Sequence, residues 1–519
     1  QESHANWFRG IKRFVLIYTH APSSVTFHDE HTHNKIPILT IHHDKLEHSQ
    51  LGRTDTQHVE DVYETELPWW RATIRARILS SVKRESQILA RMQARECIRH
   101  PWLDLYFLYS STLGTHTFFM IGLPLTFFFG YEELGRGLVI VLASGVYVAS
   151  FLKDLICSPR PLVPPVTRLT IGTHHLEYGF PSTHSTNSVS MALFITGYVR
   201  RAYFQSVAIS SSIYYTSCII LVIYAVTVVF GRLYTGMHSF IDCAVGVFLG
   251  VIIWGGYVIM KEAFGNWLAT AHWIVPLTMI PICLLLVHYH PHPVDDCPCF
   301  EDAIAFVSVL LGIALSRWHS VYSGVDERFL SSVMPGPQGA AWTLEDTVSW
   351  WTLACAKVTI GILVIFVWRI LAKSLLHLVL PPLFRLLASS FDLPHRRFYT
   401  PATDYQHMPV ESSLRPIPSF IDLPGVLEVS AIRERSALGG TSEVKRRGAK
   451  SNNDSPSANG ENYSGSELKN SNGSYQRKEV RHYDADVLTK VVVYAGMAIL
   501  AAEGLPVTFA LLGWGVKPY

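Results

Sequence analysis

The sequence is short of charge. Asp, Glu, Lys and Arg make up 16% of its 519 residues, whereas an ordinary soluble chain carries about 25%. The formal net charge is only +2, so the composition shows none of the strong basic excess that marks nucleic-acid-binding proteins. These two shortages exclude a large soluble protein of several domains and give no support to a nucleic-acid partner.

Cysteine is also scarce. The eight cysteines are scattered along the chain, and two of them, Cys297 and Cys299, stand in the stretch DDCPCF. Two thiols are too few for a zinc site, and their close spacing is awkward for a disulfide. We interpret them as structural or free thiols. The sequence therefore indicates no metal and no cofactor.

Long apolar runs are what the sequence does contain, since 49% of its residues are hydrophobic. The longer runs approach the roughly 20 residues that cross a bilayer as a helix. Two of them, 185–199 and 302–316, are short for an isolated span. The sequence predicts an all-α polytopic membrane helix bundle of about eight to ten spans. The runs are 105–129, 134–152, 185–199, 213–230, 239–260, 273–289, 302–316, 356–380 and 487–513.

Changes in composition along the chain divide it into five parts. Residues 1–100 are a polar N-terminal extension, 101–262 a membrane core, 263–385 additional membrane spans, 386–485 a largely disordered polar tail loop and 486–519 a C-terminal span. Within the first part, residues 71–100 place many arginines among apolar residues. This pattern is typical of a basic amphipathic helix on the membrane surface or, equally, of a solvated helix face.

Three polar segments at span ends carry an unusual set of side chains. The segments are KDLICSPRPLVPP with Lys153 and Arg160, GFPSTHSTNS with Ser182, Thr183 and His184, and GRLYTGMHSFIDCAVG with Arg232, His238 and Asp242. The alternation of spans between them places all three segments on one face of the membrane. Charged groups at span ends are costly to desolvate, so they are candidates for function.

The chemistry of these side chains is that of a phosphate site. Lys153, Arg160 and Arg232 supply three cations, and arginine presents a planar fork that suits phosphate oxygens. Pro181 suits the first turn of a helix. The backbone amides of Ser182, Thr183 and His184 are then expected to be unpaired, forming an anion site at the helix N-terminus.

The two histidines have separable roles. His238 and Asp242 are four residues apart, so on a helix they share a face and the carboxylate can accept one ring N–H. The other ring nitrogen then has a free lone pair with which to attack phosphorus. His184 remains to give a proton to the leaving group. Each segment taken alone is ordinary, and the prediction depends on their combination on one face.

At these residues the sequence resembles the type-2 phosphatidate phosphatase superfamily of membrane lipid phosphatases, which are relatives of the vanadium-dependent haloperoxidases. The family pattern has Lys and Arg-Pro separated by six residues, then Pro-Ser-x-His, then Ser-Arg followed by His. Lys153, Arg160, His184, Arg232 and His238 match it. Gly231 departs from it, since the family has Ser there, which puts one hydrogen bond to phosphate in doubt.

Within the superfamily the sequence is most similar to sphingoid-base 1-phosphate phosphatases, especially fungal ones. The stretches that carry this likeness are EYGFPSTHSTN, RLYTGMHSFIDCAVG and DDCPCFEDAIAF. The resemblance implies a six-helix lipid-phosphatase core in a multi-pass protein of the endoplasmic reticulum membrane. It also implies metal-independent hydrolysis of a phosphomonoester through a phosphohistidine.

Two other functions remain open at this stage. The motifs bind only the phosphate, so the substrate could equally be phosphatidate, lysophosphatidate or a polyprenyl diphosphate. A non-catalytic lipid transporter or scaffold is a further alternative, which the full set of cations and histidines disfavours. The sequence does not predict the oligomeric state.

The side of the membrane that holds the site also stays open. The basic segments at 71–100 and around Lys445 are expected on the same side as the site, which by the positive-inside rule makes it cytosolic. Arg200 and Arg201 lie on the other side and favour a lumenal site, as does the resemblance. An additional span within 70–100 would reconcile these observations.

Overall fold

The architecture is that of a computed structural model, which describes residues 62–94, 99–110, 116–169, 177–205, 210–335, 343–405 and 482–517. The expectations for the N-terminal extension up to residue 61, and for the disorder of the tail between 406 and 481, lie outside the described residues. So does the expected position of the basic segment around Lys445.

The described chain is built almost entirely from helices. They are α1 (Trp69–Met92), α2 (Pro101–Ser110), α3 (His116–Phe128), α4 (Glu132–Ile156), α5 (Thr183–Gln205), α6 (Ser211–Tyr234), α7 (Phe240–Thr270), α8 (Ile274–His288), α9 (Cys299–Tyr322), α10 (Val325–Arg328), α11 (Leu344–Ala388), α12 (Asp484–Ile499) and α13 (Leu505–Leu511). A π-helical turn, Leu500–Gly504, joins α12 to α13. Two short strands, β1 (Tyr399–Thr400) and β2 (His482–Tyr483), pair in parallel.

Among the described residues, six helical segments are long and apolar enough to cross a membrane: α4, α6, α7, α9, α11 and the continuous α12–α13 segment. Three further crossings follow from where the remaining helices begin and end. Helix α5 runs between the ends of its neighbours, α8 does so with 15 residues, and α2 and α3 share one crossing. The described residues thus make nine crossings, within the predicted range.

The ends of the helices separate into two faces. We call the end of the bundle that holds Lys153, Arg160 and His238 the site face. His290, just after α8, reaches to 3.5 Å from Asp154 at the site face, and Arg396, after α11, donates to the His290 carbonyl at 3.1 Å. At the other end of the bundle the ring of Phe129 stacks on that of Trp350.

Helix α4 lies at the centre of the bundle. One side of it packs against α5 and the other against α9. A buried apolar cluster joins Val146 of α4, Phe306 of α9, Ile365 of α11 and Tyr494 of α12. The membrane core and the additional spans therefore form one bundle, and the boundary proposed between them near residue 262 stays a prediction.

Two predicted spans have different bounds in the structure. Within the run 105–129 the described residues form α2 up to Ser110 and α3 from His116 onwards. The short run 302–316 extends at both ends into the 24-residue α9. In addition, Glu503 of the π-helical turn pairs with His319 at 2.5 Å.

Helix α1 does not cross the membrane but lies along the site face. Arg71 donates to the Leu155 carbonyl at 2.6 Å, and Ser86 accepts a hydrogen bond from the Leu162 amide at 3.0 Å. Gln93 donates to the Thr167 carbonyl at 2.9 Å. One side of α1 therefore packs on the loops of the site face. The basic residues of α1 on its other side are exposed, namely Arg77, Lys83, Arg84 and Arg91. The idea of an additional span within 70–100 is wrong.

Cysteines 297 and 299 are joined by a disulfide bond. Their interpretation as free thiols is therefore wrong for this pair. The bond lies at the site face, among a small buried cluster with Cys157 and Tyr178.

Candidate active site

His238 lies in the short turn between α6 and α7 and is 2% exposed. Its Nδ1 is 2.8 Å from the carbonyl oxygen of Gly179. With a proton on Nδ1 donated to that carbonyl, Nε2 is left with its lone pair. Burial, together with the cations Arg160, Arg232 and Lys153, holds the pKa of this imidazole well below its usual value. The ring is therefore neutral at physiological pH, which is the form that a nucleophile needs.

Asp242 has a different contact from the predicted one. Its Oδ2 accepts the Ser239 amide at 2.7 Å, and the Ser239 side chain accepts the Asp242 amide at 3.4 Å. This reciprocal pair is a capping box that fixes the first turn of α7. Asp242 Oδ2 is 3.9 Å from His238 Nδ1, so the Gly179 carbonyl, not Asp242, accepts the ring hydrogen bond in this arrangement.

Lys153 and Arg160 meet at one carboxylate. Lys153 stands in the last turn of α4 and forms an ion pair with Glu177. Arg160 Nη2 pairs with the other oxygen of Glu177 at 2.7 Å, and its Nη1 donates to the Met237 carbonyl at 3.1 Å. Since Met237 precedes His238, these contacts join two of the polar segments around the histidine.

Arg232, in the last turn of α6, is the third cation. It is 7% exposed, and its Nε has no hydrogen-bond partner among the described residues. A buried guanidinium nitrogen without a partner is costly. An anion bound beside His238 would supply one.

Glu177 lies at the site but is not among the site residues predicted from the sequence. Burial opposes its ionisation, but the charges of Lys153 and Arg160 outweigh that effect and hold the pKa of its carboxyl well below its usual range. The sequence did contain an indication of its role, because Glu177 is the first residue of EYGFPSTHSTN, one of the stretches that carry the family resemblance. Only the fold shows that this acidic residue faces two cations from another segment.

The start of α5 also differs from expectation. The helix begins at Thr183, two residues after Pro181, and the Ser182 side chain caps it by accepting the Ser185 amide at 3.3 Å. The Ser182 amide donates to the Asp242 carbonyl at 3.1 Å. The expectation that this amide is free for an anion is therefore wrong. Thr183 and His184, in the first turn, are partly exposed.

The first turns of α5 and α7 lie against each other because small residues separate them. A Cβ on Gly246 would stand 2.7 Å from the Ser182 carbonyl oxygen, and one on Gly250 would stand 2.6 Å from that of Thr186. Only glycine permits this approach of the backbones. It brings the helix that carries His184 in its first turn against the helix that follows His238.

Comparison with known proteins decides the family. A family model described as PAP2 superfamily matches residues 134–265. A dihydrosphingosine 1-phosphate phosphatase of Schizosaccharomyces pombe is 34% identical over 325 residues, which cover 62% of this chain and 74% of the relative. The chain belongs to the PAP2 superfamily. The matched PAP2 region runs from α4 to α7 and contains every predicted site residue. The family expected from the sequence motifs is confirmed.

Other relatives extend the PAP2 comparison. A dihydrosphingosine 1-phosphate phosphatase of Saccharomyces cerevisiae is 32% identical over 266 residues, 50% of this chain and 63% of the relative. The mouse protein named sphingosine-1-phosphate phosphatase 2 is 26% identical over 341 residues, 62% of this chain and 90% of its own length. No solved structure matches the chain.

The structure explains the one departure from the PAP2 motif pattern. A Cβ on Gly231 would stand 3.1 Å from the ring of Phe107, which is buried on α2. The aromatic ring thus occupies the space next to the position where the motif has Ser. The ring of Phe107 therefore packs α2 against the end of α6 at this glycine.

Proposed function

We propose that this chain is a membrane lipid phosphatase that hydrolyses the phosphomonoester of sphingoid base 1-phosphates. One observation carries the proposal: a buried, neutral histidine stands among three cations from two polar segments, with Nδ1 held by a backbone carbonyl. The names of the fungal relatives at 32–34% identity supply the substrate class. The site residues predicted from the sequence take the following roles in this proposal.

Phosphate binding uses the cations. The substrate phosphate carries about −1.5 to −2 charges at neutral pH. Lys153, Arg160 and Arg232 bind its oxygens and stabilise the charge that they carry in the transition state. Thr183, in the first turn of α5, offers its backbone amide, and Ser182 supports that turn as its cap.

The first chemical step transfers the phosphoryl group to His238. Its Nε2 lone pair forms a bond to phosphorus while the bond from phosphorus to the C1 oxygen breaks. His184 donates a proton to that departing oxygen, and the sphingoid base leaves as an alcohol. Asp242 supports the step by fixing the start of α7 directly after His238.

The second step returns the enzyme to its initial state. A water molecule attacks phosphorus, the N–P bond breaks, and inorganic phosphate leaves. His184, now neutral, accepts a proton from the attacking water. The two steps consume one water per phosphate and restore the protonation state of both histidines.

The roles are tested by replacing the nucleophile in the purified full chain. We expect His238→Ala to lower phosphate release from dihydrosphingosine 1-phosphate by roughly 10³-fold or more. His288→Ala is the matched control, because this exposed histidine lies at the same face and contacts none of the proposed site residues in the described chain. Full activity of His238→Ala would refute the nucleophile assignment.

The proposal also covers cofactor and location. The three cations can neutralise the phosphate, so we expect activity to persist in EDTA, and its loss there would refute metal independence. We propose the endoplasmic reticulum membrane as the location, which a fluorescent fusion tests. Phosphatidate and lysophosphatidate belong in the same assay, since higher activity on either would favour the alternative substrate class.

A further inference from the structure

Glu177 occupies the position where the proposed substrate must place its phosphate. Its two carboxylate oxygens pair separately with Lys153 and Arg160, which are the cations assigned to phosphate. A carboxylate with two engaged oxygens has the charge and the spacing of two phosphate oxygens. Phosphate bound to both cations therefore has to displace the carboxylate of Glu177.

Exposure indicates the direction from which the phosphate arrives. The side chains of Lys153 and Arg160 are 2% and 3% exposed, whereas that of Glu177 is 22% exposed. Glu177 therefore lies on the open side of the two cations. Its backbone is held, because Arg160 Nε donates to the Glu177 carbonyl at 2.9 Å. A displaced side chain can only turn about its own bonds, so the carboxylate stays beside the bound phosphate.

A carboxylate left there needs a new partner. Once phosphate has taken Lys153 and Arg160, the negative charge of Glu177 stands unpaired next to a second negative group, which is costly in a poorly solvated site. A sphingoid base 1-phosphate carries an ammonium group on the carbon next to the one that bears the phosphate. That group is positioned by covalent structure to reach a carboxylate beside the phosphate.

We propose that Glu177 is a specificity-determining residue that binds the 2-ammonium group of the sphingoid base while the phosphate takes its place on Lys153 and Arg160. The inference depends on the proposed function. Binding is then an exchange of ion pairs, in which no charge remains unpaired. Lipid phosphates without this ammonium, such as phosphatidate, leave Glu177 facing the phosphate alone and are disfavoured.

The test compares two substrates that differ in one functional group. One is dihydrosphingosine 1-phosphate, and the other is its analogue with a hydroxyl in place of the 2-ammonium. We measure kcat/KM for both with the purified full chain in mixed micelles. We expect the wild-type chain to favour the ammonium substrate by about tenfold or more. With Glu177→Gln this preference should fall to within about twofold.

Two variants make the result specific. Glu177→Asp keeps the charge on a shorter side chain and should retain part of the preference. Glu64→Gln is the matched control, because this exposed glutamate precedes α1 and its replacement makes the same change of charge. It should leave the preference unchanged.

The outcomes separate this inference from the proposed function. Absence of phosphate release from both substrates by the wild-type chain would refute the function. Release from both at equal kcat/KM by the wild-type chain would refute the role of Glu177 alone, even if Glu177→Gln did not fold. An equal loss on both substrates in Glu177→Gln would also refute it, since that result means that Glu177 only holds Lys153 and Arg160 in place.

Discussion

Single residues at the site face show how three buried cations are kept close to a neutral histidine. Lys153 and Arg160 share Glu177, and Arg160 also donates to two backbone carbonyls. Arg232 has no comparable acid among the described ion pairs, and its Nε lacks a partner there. A buried ion without a partner costs several kcal/mol. The positive charge of the three cations thus exceeds the negative charge that Glu177 supplies, and this excess favours the binding of an anionic ligand.

Replacement of Gly179 tests whether activity depends on the position of the carbonyl that holds His238. A Cβ there would stand 2.8 Å from the Pro159 carbonyl oxygen and 2.9 Å from Arg160 Cα, so Gly179→Ala must push two site segments apart. Because the Gly179 carbonyl holds His238 Nδ1, we expect kcat for phosphate release to fall about 100-fold, the typical cost of a misplaced reacting group. Steady-state kinetics on purified protein check this.

Gly265→Ala is the control for that experiment. The new methyl group would have nothing within 4 Å, and alanine favours helices over glycine. Activity and melting temperature should therefore stay at or above those of the wild-type chain. An active Gly179→Ala variant would contradict the role given to this carbonyl.

The sequence named the residues of the proposed site but not their contacts. The spacing of His238 and Asp242 suggested one helical face, yet α7 begins at Phe240. His238 therefore precedes the helix, and its Nδ1 bonds to the Gly179 carbonyl instead of Asp242. Glu177 escaped notice because its partners Lys153 and Arg160 lie in an earlier segment, and a sequence does not show which loop folds onto which. Types of residue were predictable, whereas their hydrogen-bond partners depended on the path of the backbone.

At the scale of elements, α1 and the β1–β2 pair hold the loops of the site face from outside. Gln93, directly after α1, donates to the carbonyls of Thr167 and Tyr234 and accepts the Thr167 amide. It thus ties the loop after Arg160 to the end of α6. The strands join the chain after α11 to the start of α12, next to α9.

His482 of β2 makes the stability of the β1–β2 pair dependent on pH. Burial lowers the pKa of His482, but its hydrogen bonds to Asp296 and Glu301 outweigh this and raise it to about 9. A raised pKa contributes stability that is complete below the ordinary value near 6.5 and is lost as pH rises through about 9. We expect the melting temperature of the wild-type chain to exceed that of His482→Gln at pH 6, with no difference at pH 10.

Scanning fluorimetry of both proteins in detergent between pH 6 and pH 10 measures this difference. His395→Gln is the control, because this histidine is exposed shortly before β1; it should match the wild-type chain at every pH. The raised pKa of His482 predicts that the difference in melting temperature shrinks as pH rises. A difference that grows towards pH 10 would contradict it.

For the whole molecule, the bilayer made the crossings predictable, because its thickness sets the length of an apolar helix. Helix α5 was harder to predict, since many of its buried residues are polar and its contacts with other helices replace hydrophobicity. The packing of α9 on α4, and of α12 on α9, could not be read from the sequence at all. Hydropathy reports burial from water and does not say which helix is the neighbour.

The crossing by α11 places the exposed residues before and after it on opposite sides of the membrane. Ser390, just after α11, is expected on the site face, and Arg328, at the end of α10, on the opposite face; both are exposed. We expect Ser390→Cys and Arg328→Cys to react with a membrane-impermeant maleimide from opposite sides of sealed microsomes. The exposed Cys355 is replaced by serine in both variants to remove its background.

Permeabilised microsomes are the control, since both cysteines should then react. Labelling of both from the same side of intact vesicles would refute the crossing of the membrane by α11. Whichever side Ser390→Cys reports also holds His238, because α11 ends at the face where Arg396 contacts the His290 carbonyl. The same experiment therefore decides between a cytosolic and a lumenal site, which the distribution of basic residues left open.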